Sequence, residues 1–232
     1  AVFNLLLLLL TVSYIRCSFS DPGYVPRRLF QSSAATVGAI PGNIPLVQRR
    51  EADKTFCTKC QADKPERAHH CRLCGRCVER MDHHCPWVNN CVGRDNYKFF
   101  VLFLLYTCLT ALYNTVTVAV WAMRSDSRDI AEGPMAWAVV WINLFTTGVF
   151  GVVLVFFCGF HLQLISKNQT TIESLDRRSQ YALSSAADNA RAVLGHNAWY
   201  WLVPIKPGLP TDGEGPGGAG DLEGGRGQRC DG

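Results

Sequence analysis

The chain has 232 residues, a net charge of +4 and a mean hydropathy near zero. So slight a positive balance does not argue for a nucleic-acid partner. The near-zero hydropathy averages very apolar runs with a polar, cysteine-rich stretch and a glycine-rich tail, so a length that would suit one soluble domain is misleading here.

The first element is an apolar run, Ala1 to Ile15, unbroken leucine from Leu5 to Leu10. Without an initiator methionine or a basic leader, a signal peptide is the weaker reading. Some 15 residues fall short of the ~20 needed for a full span, so residues 1–15 read as a partial transmembrane helix that the chain enters partway. Arg16 should end it, ahead of the turn signal Asp21-Pro22-Gly23. Residues 16–50 carry scattered Pro, Gly and Ser with no sustained period and read as a cytosolic linker. Its Arg27-Arg28 and Arg49-Arg50 are solvated charge or contacts to anionic lipid.

Residues 51–98 form a cysteine- and histidine-dense module with an internal repeat. Cys57-x-x-Cys60 recurs 14 residues on as Cys71-x-x-Cys74, His69-His70 as His83-His84, and Cys77 as Cys91. Each copy offers three thiolates and one imidazole, a donor set suited to a closed tetrahedral zinc site. One zinc would take Cys57, Cys60, His70 and Cys77, and a second Cys71, Cys74, His84 and Cys91. Spacing alone leaves His69 and His83 open as alternatives to their neighbours. Two metals would let a short stretch with little apolar core hold a fold, with small strands or hairpins at the knuckles. Zinc thiolates require a reducing compartment, which places the module on the cytosolic side.

Two such sites use six of the seven cysteines in Cys57–Cys91 and leave Cys85 over. It stands where a third repeat would begin, but the partner position is Val88. A thiol is nucleophilic as thiolate, and a neighbouring imidazole lowers its pKa. His83 is the spare base and Asp82 can fix its tautomer, the Cys/His/carboxylate arrangement of nucleophilic catalysis. The bland alternative is a spare buried thiol.

Residues 99–122 are a second apolar run, free of formal charge and long enough to cross a bilayer. Residues 123–135 are a short polar loop, and 136–161 a further span. Arg16 to Lys98 holds fourteen Lys/Arg against Arg124 and Arg128 in the short loop, so the positive-inside rule puts the module in the cytosol and the loop outside. Within the C-terminal region, 162–206, Asn168-Gln169-Thr170 fits a glycosylation acceptor but falls on the wrong side for one. Thr170-Thr171-x-Glu173 reads as a helix cap, and Trp199 and Trp201 as interfacial anchors. The glycine-rich residues 207–232 read as a disordered tail, whose Cys230 lies in no prenylation box.

From Cys57 through Asp82-His83-His84-Cys85 to Cys91, and on through Pro86-Trp87-Val88-Asn89-Asn90-Cys91-Val92-Gly93, the module resembles the DHHC-type protein S-acyltransferases, or palmitoyltransferases, at every position of their signature. The resemblance implies an α-helical polytopic membrane protein with a cytosolic two-zinc module inserted between transmembrane helices. Asp21-Pro22-Gly23 then follows the family's second transmembrane helix. Cys85 would take a long-chain acyl group from acyl-CoA as a thioester, with His83 as base and Asp82 orienting it. The acyl group would pass to cysteines of membrane-associated proteins at the cytosolic face of an endomembrane, Golgi or ER, or of the plasma membrane. Thr171, in the family's Thr-Thr-x-Glu element, would hydrogen-bond Asp82. Asn189 stands for the family's C-terminal asparagine, although Ala190 replaces the usual aromatic residue after it. Lys64 and Arg67 are candidates for the coenzyme A phosphates, Trp87 for a contact beside the acyl group, and Thr110 for the far end of an acyl cavity. Both zincs are structural in this reading, their donor sets being complete.

Two other readings stand beside it. A zinc-bearing membrane adaptor also interleaves two sites, but it has no need of a spare cysteine beside His83 and Asp82. A degenerate family member would bind clients without transferring acyl groups, against which the intact four-residue signature argues.

Overall fold

The computed structural model describes residues 1–26, 56–124, 133–176 and 180–207. Most of the expected linker with both arginine pairs, the greater part of the short loop, and the glycine-rich tail with Cys230 lie outside the described residues. Three helices are long and apolar enough to cross a membrane: α1 (Val2–Phe19), α2 (Tyr97–Arg124) and α3 (Gly133–Ser166). At about 1.5 Å per residue the 34 residues of α3 reach roughly 50 Å, beyond the ~30 Å hydrocarbon core of a bilayer. Its long surface of Val, Ile and Phe stays exposed within the chain, as in a helix solvated by lipid.

α2 packs between α1 and α3. Tyr14 of α1 meets Phe103 with ring centroids 5.5 Å apart, and Arg16 lies over the Phe99 ring. α2 and α3 run antiparallel. They are joined deep in the apolar region by Asn114–Asn143 (2.8 Å) and Thr115–Thr147 (2.9 Å) hydrogen bonds, each contributing about 1 kcal/mol in a membrane.

The module between α1 and α2 is a run of three antiparallel hairpins: β1 (Phe56–Cys57) with β2 (Ala62–Asp63), β3 (His69–Cys71) with β4 (Arg76–Val78), and β5 (His83–Cys85) with β6 (Asn90–Val92). Strands of two or three residues are too short to hold themselves. The 14-residue repeat is a hairpin repeat. Cys57, Cys71 and Cys85 each end a first strand, opposite Ala62, Arg76 and Asn90. Each turn contains one positive-φ residue, at Gln61, Gly75 and Asn89.

Two devices fasten α1 to this module. Asp21 Oδ1 accepts from the Gly23 and Tyr24 N–H groups at 2.8 Å, closing an Asx turn that lays Tyr24 against Val78 of β4. There Pro22 crosses Gly93 so closely that a Cβ on Gly93 would sit 2.5 Å from the Pro22 carbonyl oxygen. Asn90 Nδ2 donates to the carbonyls of Cys17, Ser18 and Ser20, and Asn96 Nδ2 to those of Cys17 and Cys91, satisfying carbonyls that the end of α1 leaves open.

Beyond α3 come α4 (Thr171–Leu175), α5 (Ala186–Leu194) and a 3₁₀ turn (Ala198–Tyr200). Asn168, at φ 49°, turns the chain out of α3. Its Nδ2 donates to the Tyr181 carbonyl and its Oδ1 accepts from Arg80, so the glycosylation-like asparagine is buried. Thr170 caps α4 reciprocally with Glu173. Lys98 donates to the Tyr200 carbonyl and Tyr106 to that of Leu202, which returns the C-terminal segment to α2. The architecture is that implied by the apolar runs and cysteine spacing: helical and polytopic, with a Cys/His module between spans.

Candidate active site and metal centres

The hairpins build two donor clusters by a shared rule. In each, a Cys-x-x-Cys knuckle at one turn meets a His–Cys pair directly opposed across the next hairpin. Cys57 and Cys60 meet His70 and Cys77, which face each other in β3–β4, and Cys71 and Cys74 meet His84 and Cys91, which face each other in β5–β6. The spacing had left His69 and His83 open; the rings that enter the clusters are His70 and His84. His70 Nδ1 lies 3.3, 3.5 and 3.9 Å from the sulfurs of Cys60, Cys57 and Cys77. His84 Nδ1 lies 3.4, 3.7 and 3.7 Å from those of Cys74, Cys71 and Cys91. Tetrahedral bonds of ~2.3 Å to sulfur and ~2.0 Å to nitrogen place such donors about 3.5–3.8 Å apart, so both clusters fit zinc. Peptide N–H groups of Cys60 and Cys74 point at the Cys57 and Cys71 sulfurs, each at 3.4 Å. Burial, then the neighbouring thiols, hold the Cys77 and Cys91 thiols far above their ordinary pKa; a dication at the centre would reverse that balance by binding the thiolates.

Cys85 occupies the first-thiol place of the third hairpin, with buried Val88 where a second thiol would be. Among the described residues no further hairpin supplies a His–Cys pair, and Cys85 belongs to neither donor set. Burial raises its pKa, but hydrogen bonds from His83 and from the peptide N–H groups of Val88 and Trp87 outweigh this and bring it below the usual value. The turn therefore resembles a metal knuckle whose donors serve a free sulfur.

His83 Nδ1 is 2.7 Å from Asp82 Oδ2, which leaves the other ring nitrogen to the Cys85 side. Burial disfavours an imidazolium there, but hydrogen bonds to Asp82 and Cys85 raise the His83 pKa to about 9. Asp82 is buried, which would raise its pKa. Its bonds from His83 and the Thr171 backbone reverse the direction and hold it below the usual carboxylate value. Thr171 donates twice, from its N–H to Oδ1 and from its hydroxyl to Oδ2, both at 2.8 Å. The three groups favour a thiolate–imidazolium–carboxylate arrangement.

The remaining candidates fall in different places. Asn189 Oδ1 accepts from the Leu183 N–H, and its Nδ2 donates to the Ser166 carbonyl, tying α5 to the end of α3. Trp87 is 81% exposed beside Cys85, so its indole is free to meet a ligand or lipid. Arg67 is engaged with Glu173 through two bonds of 2.7 and 2.8 Å and donates to the Asn168 carbonyl. Arg67 also covers the Tyr181 ring at 4.2 Å. Lys64 lines the same groove of ≈ 690 Å³, with Glu66, Arg67 and Tyr181. Thr110 lies farther along α2, its hydroxyl on the Tyr106 carbonyl, and does not line the apolar groove of ≈ 290 Å³ that includes Cys108, Leu112, Gly151 and Phe156.

Sequence reasoning missed Asn90 and Asn96, which position the Cys85 hairpin against α1, and Arg80, which fixes Asn168. It also missed the Tyr97–His161 hydrogen bond of 3.0 Å behind His83. An imidazole at the end of an otherwise uncharged apolar run was the one available signal.

A family model described as DHHC palmitoyltransferase matches residues 50–178. The chain is 34% identical over 210 residues to the probable protein S-acyltransferase 12 of Arabidopsis thaliana, covering 88% of this chain and 72% of that protein. To the probable protein S-acyltransferase 14 of the same plant it is 36% identical over 216 residues, covering 88% and 70%. To human palmitoyltransferase ZDHHC20 it is 40% identical over 164 residues, covering 66% and 44%.

Proposed function

The chain belongs to the DHHC palmitoyltransferase family, and we propose that it transfers a long-chain acyl group from acyl-CoA to protein cysteines through a thioester on Cys85. As a member it is a membrane-bound protein S-acyltransferase. The observation that carries the finer reading is Cys85, outside both donor sets and within a hydrogen-bonded Cys–His–Asp arrangement.

The Cys85 thiolate attacks the thioester carbonyl of palmitoyl-CoA. A carbon–sulfur bond forms to Cys85, the one to coenzyme A breaks, and the departing thiolate takes a proton held on His83. Asp82 keeps the imidazole in one orientation, and Thr171 keeps Asp82 in place. A substrate cysteine then gives its proton to His83 and attacks the Cys85 thioester, accepting the acyl group and releasing Cys85. This is two-step, ping-pong chemistry. Trp87 lies beside the acyl carbonyl, and the chain runs along α2 toward Thr110, each buried methylene contributing about 0.8 kcal/mol. Lys64 meets the coenzyme A phosphates. Arg67 shares that groove, although its bonds to Glu173 give it a structural task as well. Two zincs on Cys57, Cys60, His70, Cys77 and on Cys71, Cys74, His84, Cys91 hold the hairpins and supply no reacting atom. The module and C-terminal region face the cytosol, on an endomembrane (Golgi or ER) or the plasma membrane.

The test is labelling of the full-length protein with a clickable long-chain acyl-CoA, beside Cys85→Ser. Label that appears on the native protein, leaves with hydroxylamine and is absent from the variant, with two zincs on both, is the expected result. Label that persists on the variant, or never forms on the zinc-loaded native protein, overturns the reading.

A further inference from the structure

His161 is a buried titratable side chain of α3 that this reaction leaves unused. It is 1% exposed. The ring centroids of Phe157, Phe100, Phe160 and Tyr97 lie 4.7, 5.1, 5.4 and 5.8 Å from its own, and that of His83 at 6.2 Å. Its Nδ1 faces the Tyr97 hydroxyl. With the Tyr97 hydroxyl as donor, Nδ1 accepts and the neutral ring carries its hydrogen on Nε2. In either tautomer the buried Nε2 meets no partner among the described residues.

A phenylalanine would fill the same volume and join the same aromatic cluster, but it would leave the buried Tyr97 hydroxyl without its partner. That pairing accounts for Nδ1 and not for Nε2, whose burial without a partner is unfavourable. The chemistry next to it offers one. Asp82 Oδ2 accepts from both His83 and Thr171, whereas Oδ1 accepts one N–H, which leaves a lone pair open on the carboxylate that holds the reacting histidine.

We propose that His161 is a positioning residue for acyl transfer, its Nε2–H offered from the membrane side to one acceptor oxygen beside the Asp82–His83 couple. That oxygen belongs to a buried water bridging to Asp82 or to the carbonyl of the arriving acyl group. The inference rests on Cys85 as the acyl acceptor.

The experiment measures single-turnover acylation of the full-length, zinc-loaded protein by palmitoyl-CoA for His161→Phe, His161→Gln and His161→Asn. Phe keeps the ring and loses both nitrogens, the Gln amide nitrogen reaches the place of Nε2, and that of Asn the place of Nδ1. The Phe variant should acylate about tenfold more slowly at saturation with KM within about twofold of native, Gln should recover to within about threefold, and Asn should not. A Phe variant at the native rate, or Gln no faster than Asn, overturns the proposal, and the second comparison decides should the Phe variant not fold. Native protein that takes no label overturns the Cys85 reading instead. The ¹⁵N resonance of His161 Nε2 separates the sources: hydrogen-bonded before and unchanged after acylation means water, and a shift on acylation means the acyl carbonyl. A resonance free of hydrogen bonding in both states also overturns the proposal.

Discussion

Thr171 gives Asp82 two hydrogen bonds from a single residue, one from its backbone and one from its hydroxyl. The backbone bond survives any side chain, so Thr171→Val isolates the hydroxyl. A hydrogen bond to a charged group contributes about 1.5–3 kcal/mol, and its loss loosens the carboxylate that orients His83. Acylation of Cys85 by labelled acyl-CoA should slow by about tenfold in Thr171→Val, with zinc content unchanged. A native rate would show that the N–H suffices. The direction of each shift at the site follows from competition at short range. Burial opposes every charge there, and the mutual bonds of Asp82, His83 and Cys85 outweigh burial for all three.

Among the elements, the hairpins and the turn after α3 depend on unlike forces. The hairpins bury residues such as Val78, Val88 and Val92, but strands of two or three residues are too short to hold themselves, which leaves that task to the donor clusters. Because Cys71 and Cys74 occupy the turn of the hairpin whose strands carry His70 and Cys77, the two sites share one piece of backbone. Cys77→Ser should therefore release both metals, measured by a zinc assay, along with the folded signal of the module. Retention of one zinc per chain would mean that the sites are independent. The turn after α3 is instead held by the Arg67–Glu173 pair, with side chains 14% and 5% exposed. Removing one partner of a buried pair costs about 3–5 kcal/mol because the other charge remains unpaired, whereas replacing both by apolar groups is often nearly neutral. Arg67→Met should lower the thermal midpoint sharply, and Arg67→Met with Glu173→Leu should restore much of it. A single variant with native stability would free Arg67 for phosphate binding alone.

At the scale of the whole molecule, the site exists because the ends of three helices meet beside the Cys85 hairpin. Asn90 and Asn96 cap α1, Tyr97 begins α2, and His161 near the end of α3 reaches Tyr97. α2 and α3 run antiparallel and their near ends meet, so the proposed topology puts the module and the C-terminal region on one side of the bilayer, the cytosolic side by the positive-inside rule. Glycosylation acceptors inserted between Arg124 and Gly133 should be modified in microsomes, and those inserted in the module should not. The reverse pattern would invert the topology.

Identity of the residues and their periodicity determined a good deal without coordinates. Unbroken apolar runs announce membrane helices because lipid, unlike water, tolerates them on every face. The 14-residue recurrence of Cys and His announces metal because few other constraints repeat those residue types at fixed spacing. It also isolates Cys85 by leaving it without a second thiol. What spacing could not decide was which of two adjacent histidines turns toward the thiols, since neighbouring residues on a strand point to opposite faces. The cross-strand register settled that by pairing His70 with Cys77 and His84 with Cys91. The capping of α1 by Asn90 and the Tyr97–His161 pair join residues 73 and 64 positions apart. Such contacts arise from how helices and hairpins pack, and no local pattern in the chain encodes them.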